Sequence, residues 1–426
     1  MSFEWRAKKL GDIITLQRGH DLPSQERKIG HVPIMGSSGV TGYHNQYKAK
    51  GPGVIIGRSG NSMGQISYVS ENYWPLNTSL YITDFKGNCP EFIYYFLKQI
   101  NFDQFNSGSA QKSLNRNAVY PFEVKFPSSY KTQSAIASIL FSLEQKIKVN
   151  HQINQTLEQI AQALFKSWFV DFEPVKAKIA ALEKGGTSED ATLEAMTAIS
   201  SKDTAALAVF AGEHPEKYVE LKAMAELFPS TMQESERGKI PQGWEVTTFG
   251  AVSNCLDKYR IPLAKNQREK IKGSIPYYGA TSIMDYVNEH IFNGVYLLLG
   301  EDGSVLKDDG TPFTQYIWGE AWVNNHAHVL QGKNGISTEQ LLLFMKNQNL
   351  APYVTGAVQL KLNQKNMNSI PFIKSDEKIS LIFNTLIEPI FCTFRKRHDE
   401  SISLCQIRDT LLPKLFSGSI CVEDGA

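Results

Sequence analysis

The sequence predicts an α+β fold of two tandem β-rich globular modules, each followed by a long helix. Three observations carry that reading. The second half of the chain restates the first at an offset of about 240 residues. Each repeat holds short β-branched or aromatic segments bounded by Gly, Pro, Asn and Ser. Each repeat closes on an amphipathic stripe with apolar residues at steps of three and four.

The repeated blocks fall in order along the chain. Trp5, Leu10 and Gly11 recur as Trp244, Phe249 and Gly250, and Pro33 with Gly36 recurs as Pro276 with Gly279. Gly53 to Ile56, running into Gly57 and Gly60, corresponds to Gly294 to Leu297, running into Gly300 and Gly303. Trp74 and Asn77 are echoed by Trp322 and Asn325. Gly108, Gln111, Leu114 and Asn115 keep the same internal spacing as Gly356, Gln359, Leu362 and Asn363, with Pro121 and Pro371 following.

The expected strands in the first module include those starting at Gly53, Gln65, Leu80 and Phe122, interrupted by a helix from about Pro90 to Gln99 with a counterpart at Thr338 to Lys346. The expected organisation is a first module at residues 1–130, a spacer helix at 131–175 and an inserted helical, net acidic segment at 176–238. A second module at 239–375, a second spacer helix at 376–418 and a tail at 419–426 complete it. The two related stripes are expected to pack on each other through Leu143, Ile147, Leu157, Ile160 and Leu164 of the first and Leu386, Ile390, Leu404, Ile407 and Leu411 of the second. Asn150 and Asn154 fall on seam positions where a polar side chain fixes register. Pro389 is expected to kink or split the second helix.

Composition narrows the function classes. The 426 residues carry 44 Lys and Arg against 43 Asp and Glu, so the chain is neither a highly basic nucleic-acid coat nor a polyanionic one. Residues 1–130 hold 14 basic and 9 acidic side chains, and residues 241–375 hold 12 and 11, whereas the helices are neutral or acidic. The modules are therefore the parts expected to meet a polyanion. Five cysteines show no paired metal-ligand spacing, which predicts reduced thiols in a cytoplasmic protein without a metal site. The first residues lack a signal-peptide core, and no run approaches the apolar length of a membrane span.

Donor-rich loops supply the candidate reading surface. In the first module these are Ser37, Ser38, Tyr43, His44, Asn45, Arg58, Ser59, Asn61, Lys112, Asn115 and Arg116. In the second they are Tyr259, Arg260, Lys265, Arg268, Thr281, Ser282, Asn325, His326, Gln359 and Lys361. Arginine reads guanine and asparagine reads adenine by paired hydrogen bonds, while hydroxyls and amides suit phosphate. Glu301 and Asp302 stand where the first module has Arg58 and Ser59; they either accept from cytosine amino groups or mark a loop that does not read DNA. The phosphate-binding Lys loop, the serine-nucleophile elbow and the zinc-protease helix motif are all missing, so no catalytic residue is assigned.

This arrangement resembles the specificity subunit of type I restriction–modification systems over nearly the whole chain. The resemblance rests on the module–helix–module–helix order, the Trp5 to Gly11 opening, the Gly108 to Asn115 block and the terminal run Leu411 to Gly418. Ser419 departs from it, standing where an acidic residue is usual. The resemblance implies two target recognition domains, each reading one half of a split, asymmetric DNA sequence. The helices would pair as an antiparallel coiled coil with pseudo-two-fold symmetry, hold the domains apart and bind two modification subunits. No cofactor is expected in this chain; S-adenosylmethionine would sit in the modification partner, and ATP and Mg in the restriction partner. The alternative is a stand-alone DNA-binding regulatory or architectural protein with the same duplicated fold.

Overall fold

The computed structural model describes residues 5–109, 111–356 and 359–420. The start of the chain before Trp5, the tail with Cys421, and Ala110, Ala357 and Val358 inside the repeated blocks lie outside the described residues. One compact unit runs to His151 and resumes at Asp399; the other is the continuous stretch Gln152–His398.

The first unit is built on a four-stranded antiparallel sheet in the order Thr15–Arg18, Ser79–Asp84, Gly53–Gly57, Ile66–Val69. Every residue of the central strand Gly53–Gly57 is buried, as a strand covered on both faces requires, which is why it reads as an unbroken apolar run. A second sheet sets the ribbon of Gly39–His44 and Val32–Gly36 beside Trp74–Pro75, with Ile34 paired in parallel to Trp74. Trp5–Lys9 pairs with Glu123–Pro127 and closes the module. The helix Pro90–Leu97 starts on proline, whose missing N–H costs nothing at a first turn, and buries Phe92, Ile93 and Phe96 in the core.

The second unit repeats the scheme. Ser253–Cys255, Ala327–Gly332, Tyr296–Gly300 and Thr314–Ile317 form its four-stranded sheet, with Tyr296–Gly300 wholly buried. The ribbon of Lys272–Tyr278 and Ile283–Val287 lies beside Glu320–Val323, and Tyr277 pairs in parallel with Trp322 as Ile34 does with Trp74. Glu245–Thr248 closes on Pro371–Lys374. The duplication extends to a pair that carries no mark in the sequence: Tyr68 donates to Glu91 at 2.6 Å, and Tyr316 donates to Glu339 at 2.6 Å.

The two long helices are Tyr130–Phe169 and Glu377–Phe416, each of 40 residues and so about 60 Å long. They run antiparallel within each unit. In the first, Glu144 faces Arg408 and Asn150 faces Glu400; in the second, Asn154 faces Phe394 and Phe165 faces Phe383. Three expectations are corrected here. Pro389 does not split its helix, which runs through it as one element. Ile160, Leu386 and Ile407 do not line the seam: they are 45%, 37% and 47% exposed. The seam follows a heptad through Leu140, Leu143, Ile147, Asn150, Asn154, Leu157 and Ala161, and each of those three residues lies beside its own helix's stripe. The first helix stops at Phe169, short of residue 175, because Phe172 takes the left-handed conformation at φ 56°.

The segment between the repeats is not purely helical. Ser188–Ser200, Thr204–Glu213 and Pro215–Leu227 are helices around a small core of Ala195, Met196, Leu207, Leu221 and Ala225, while the helix Glu173–Glu183 sends Val175 into the second unit's main core. They are followed by the β-hairpin of Met232–Ser235 and Gly238–Pro241. Lys178 is buried, and its ammonium donates to the Phe228 carbonyl at 2.6 Å.

Candidate nucleic-acid interface

The repeated glycine-to-asparagine block is a loop clamp. Leu114 N–H donates to the Arg58 carbonyl at 2.8 Å, and Leu362 N–H donates to the Glu301 carbonyl at 2.8 Å. Gly60 N–H reaches the Lys112 carbonyl and Gly303 N–H reaches Leu360. A Cβ on Gly108 would lie 1.9 Å from the Gln111 oxygen, and one on Gly356 would lie 2.1 Å from that of Gln359, so both positions need glycine. Asn115 and Asn363 cap the short helices Arg116–Val119 and Gln364–Asn368 by accepting from Asn117 and Asn366 N–H. The spacing that revealed the repeat thus serves the backbone, and Asn115 Oδ1 is occupied by that cap.

In the first module this clamp forms one wall of an open cleft of about 880 Å³. Arg18, Arg58 and Arg116 line it with His20, Asp21 and Asn115. Arg58 donates to the Asn77 carbonyl at 3.3 Å and Arg116 to the Leu16 carbonyl at 3.0 Å, so each guanidinium is fastened at one nitrogen. Arg18 and His20 lie outside the Gly-rich loops and the repeated blocks, so no local pattern marks them in the sequence. Ser59 pairs with Ser113 as an isolated bridge, and Asn61 is exposed. Lys112 is ion-paired to Asp103 at 2.7 Å. On the neighbouring ribbon Ser38, Tyr43 and Asn45 are exposed and Ser37 half-buried, whereas His44 is a core residue. It is 4% exposed, stands edge-on to Trp74 and accepts from Lys28 N–H at 3.0 Å.

The second module pairs four of its ten expected readers with its own carboxylates. Arg260 is 12% exposed and sits between Glu301 at 2.8 Å and Asp257 at 3.2 Å. Lys361 approaches Glu301 at 3.6 Å, His326 meets Asp302 at 2.5 Å, and Arg268 is bound to Asp285 at 3.0 Å. Glu301 therefore faces Arg260 and Lys361, and Asp302 faces His326. Cys255, Asp257 and His328 gather within 4.8 Å of one another, but both ring nitrogens of His328 already have partners, Asp257 at 2.5 Å and the Leu362 carbonyl at 2.7 Å. Burial pushes the Cys255 thiol up to about 12. Burial also pushes the Asp257 carboxyl up, yet the hydrogen bonds from His328 and Val329 N–H and the neighbouring His328 and Arg260 together hold that group below the usual range. Tyr259, Lys265, Thr281, Ser282, Asn325 and Gln359 remain exposed.

Two copies of one scaffold, clamped alike and differing in the side chains at their loop tips, define a two-headed recognition protein in which each head carries its own polar face. Residues 3–159 and 241–390 match the family model described as the type I restriction modification DNA specificity domain, and the chain belongs to that family. It is 32% identical to the HindI specificity subunit of Haemophilus influenzae over 68% of this chain and 67% of that one. It is 22% identical to the MjaIX specificity subunit of Methanocaldococcus jannaschii over 99% and 94%. The crystal structure of the S subunit of a type I restriction-modification system from M. genitalium shares the fold, with a TM-score of 0.60 and 16% identity over 97% of this chain and 96% of that one. Among the described residues no helix is long and apolar enough to cross a membrane.

Proposed function

We propose that this chain is the DNA sequence-recognition subunit of a cytoplasmic, prokaryotic type I restriction–modification complex. Each module reads one half of a bipartite, asymmetric target, and the helix pair sets the spacer and docks two modification subunits. The chain itself is non-catalytic. S-adenosylmethionine belongs to the modification partner, which methylates adenine, and ATP and Mg belong to the restriction subunits.

The observation that carries this reading is the equivalence of Arg58 and Glu301. Their carbonyls take the same clamp bond at 2.8 Å, yet one side chain is a cation lining an open cleft and the other a carboxylate tied to Arg260. Duplication kept the backbone and changed the chemistry at the tip, as expected where two heads must choose different bases. The test is to exchange residues 1–130 for the corresponding module of a relative and map adenine methylation at base resolution. One half of the methylated sequence should change and the other should stay. Equal changes in both halves would refute the assignment of one module to one half.

A further inference from the structure

Both modules expose an apolar strand at the same place. Gly39–His44 and Ile283–Val287 each form the outer strand of their sheet, and among the described residues each pairs with one strand only, Val32–Gly36 and Lys272–Tyr278. Aligned at the closing residue, the run from Val40 to His44 matches the run from Ile283 to Val287. In both, the first, second and fourth residues are exposed, the third is half-buried and the fifth is buried. Val40 is 54% and Tyr43 58% exposed, and Met284 is 53% and Tyr286 49% exposed. An outer strand carrying large exposed apolar side chains is a liability in a soluble protein unless something covers it.

Arginine side chains also fasten the strands. Arg27 donates to the Thr41 carbonyl at 3.2 Å, and Arg268 binds Asp285, the residue aligned with Gly42, at 3.0 Å while also donating to the Leu263 carbonyl. An arginine ahead of each ribbon thus fastens the outer strand. The sequence around them is net basic: residues 27–50 contain four Lys and Arg and no Asp or Glu, and residues 258–287 contain six against two, of which Arg260 and Arg268 are ion-paired and Lys258, Lys265, Lys270 and Lys272 are exposed. That excess is most of the net positive charge of the first module and more than all the net charge of the second. A polyanion is the partner such a surface suits, and a two-stranded ribbon fits the major groove of duplex DNA.

We infer that Gly39–His44 and Ile283–Val287 are the reading strands of the two modules and enter the major groove, where Val40 with Tyr43, and Met284 with Tyr286, pack on the 5-methyl groups of thymines. The inference rests on the DNA-recognition reading above and adds to it that each half-site contains an A·T pair recognised by that methyl group, the apolar feature of the groove.

The test uses the full chain purified with its modification subunits, on the target mapped by adenine methylation. Each thymine of a synthetic duplex is replaced in turn by deoxyuridine, which removes only the methyl group. In the unaltered complex at least one position in each half should bind about fourfold more weakly, the effect of one buried methyl. Tyr43→Ala should abolish that sensitivity in one half only, and Tyr286→Ala in the other. Both side chains are largely exposed, so the modules should stay folded, which a thermal melt checks. The inference is overturned if uracil is tolerated everywhere, if both variants keep the sensitivity, or if they lose the modification subunits instead of DNA. A complex that methylates no bipartite target at all would instead refute the recognition reading itself.

Discussion

Asn150 donates to the Glu400 carboxylate at 2.9 Å across 250 residues of sequence, from a side chain with no exposed surface. Asn154 does the same one turn on, giving its amide to the Phe394 carbonyl at 3.1 Å. Among the described residues no donor reaches the Oδ1 of either. The middle of the helix pair is thus polar and incompletely satisfied, which trades stability for register.

Replacing both amides by leucine should therefore raise stability by about 1 kcal/mol, since the uncompensated carbonyls go and Glu400 keeps Lys146 at 3.5 Å. Asn150→Ala, which leaves a void, should lower it by about 1–2 kcal/mol. Thermal and urea melts of the three proteins check both signs.

Arg260 distinguishes a structural cation from a phosphate contact. Removing it leaves Glu301 and Asp257 facing each other in a half-closed site, and Arg260→Ala should destabilise the second module by about 3 kcal/mol. Lys265→Ala, at an exposed position, should shift stability by no more than about 0.5 kcal/mol. Tryptophan fluorescence during urea unfolding measures both. A fully stable Arg260→Ala protein with weakened DNA binding would show that the side chain serves the ligand instead.

Acid should act on the same cluster. Asp257 titrates near 3.9 when unfolded and lower when folded, so its contribution is full above about pH 4 and is lost as pH falls through the folded value. Stability of the second module should fall as pH drops below about 4, and Asp257→Asn should flatten that dependence while lowering stability at neutral pH. Unfolding midpoints between pH 3 and pH 6 provide the measurement.

The helices offer a test on DNA. Adding one turn within Leu143 to Leu164, matched by one turn between Phe383 and Leu411 to keep the seam in phase, lengthens each helix by about 5.4 Å. The spacer of the methylated target should grow by about one to two base pairs with both half-sites unchanged, read by methylation mapping. An altered half-site with the old spacer would count against the helices as a ruler.

The fold was legible because it is written twice. Ordered glycines, held where a Cβ would clash or the backbone takes a positive φ, and buried tryptophans mark both modules in the sequence. Side-chain roles were harder to see because they depend on partners far apart in sequence. Arg260 meets Glu301 41 residues away, and Arg268 meets Asp285 17 residues away; nothing local marks either arginine as already ion-paired. His44 follows exposed Tyr43, and only the pleat of the strand turns one inward. In the helices, steps of three and four reveal a stripe without fixing its flank, so the pattern does not separate Ile160 and Ile407 from the seam that they adjoin.

The first module's core contains Leu415, 2% exposed, with Leu411, Leu412 and Phe416 packed against it. During synthesis that module leaves the ribosome first but lacks part of its interior until the last helix has emerged. The other unit, a continuous stretch from Gln152 to His398, has all its parts earlier. The usual order, in which the leading domain matures first, is therefore reversed here: the N-terminal head is translated first and finished last.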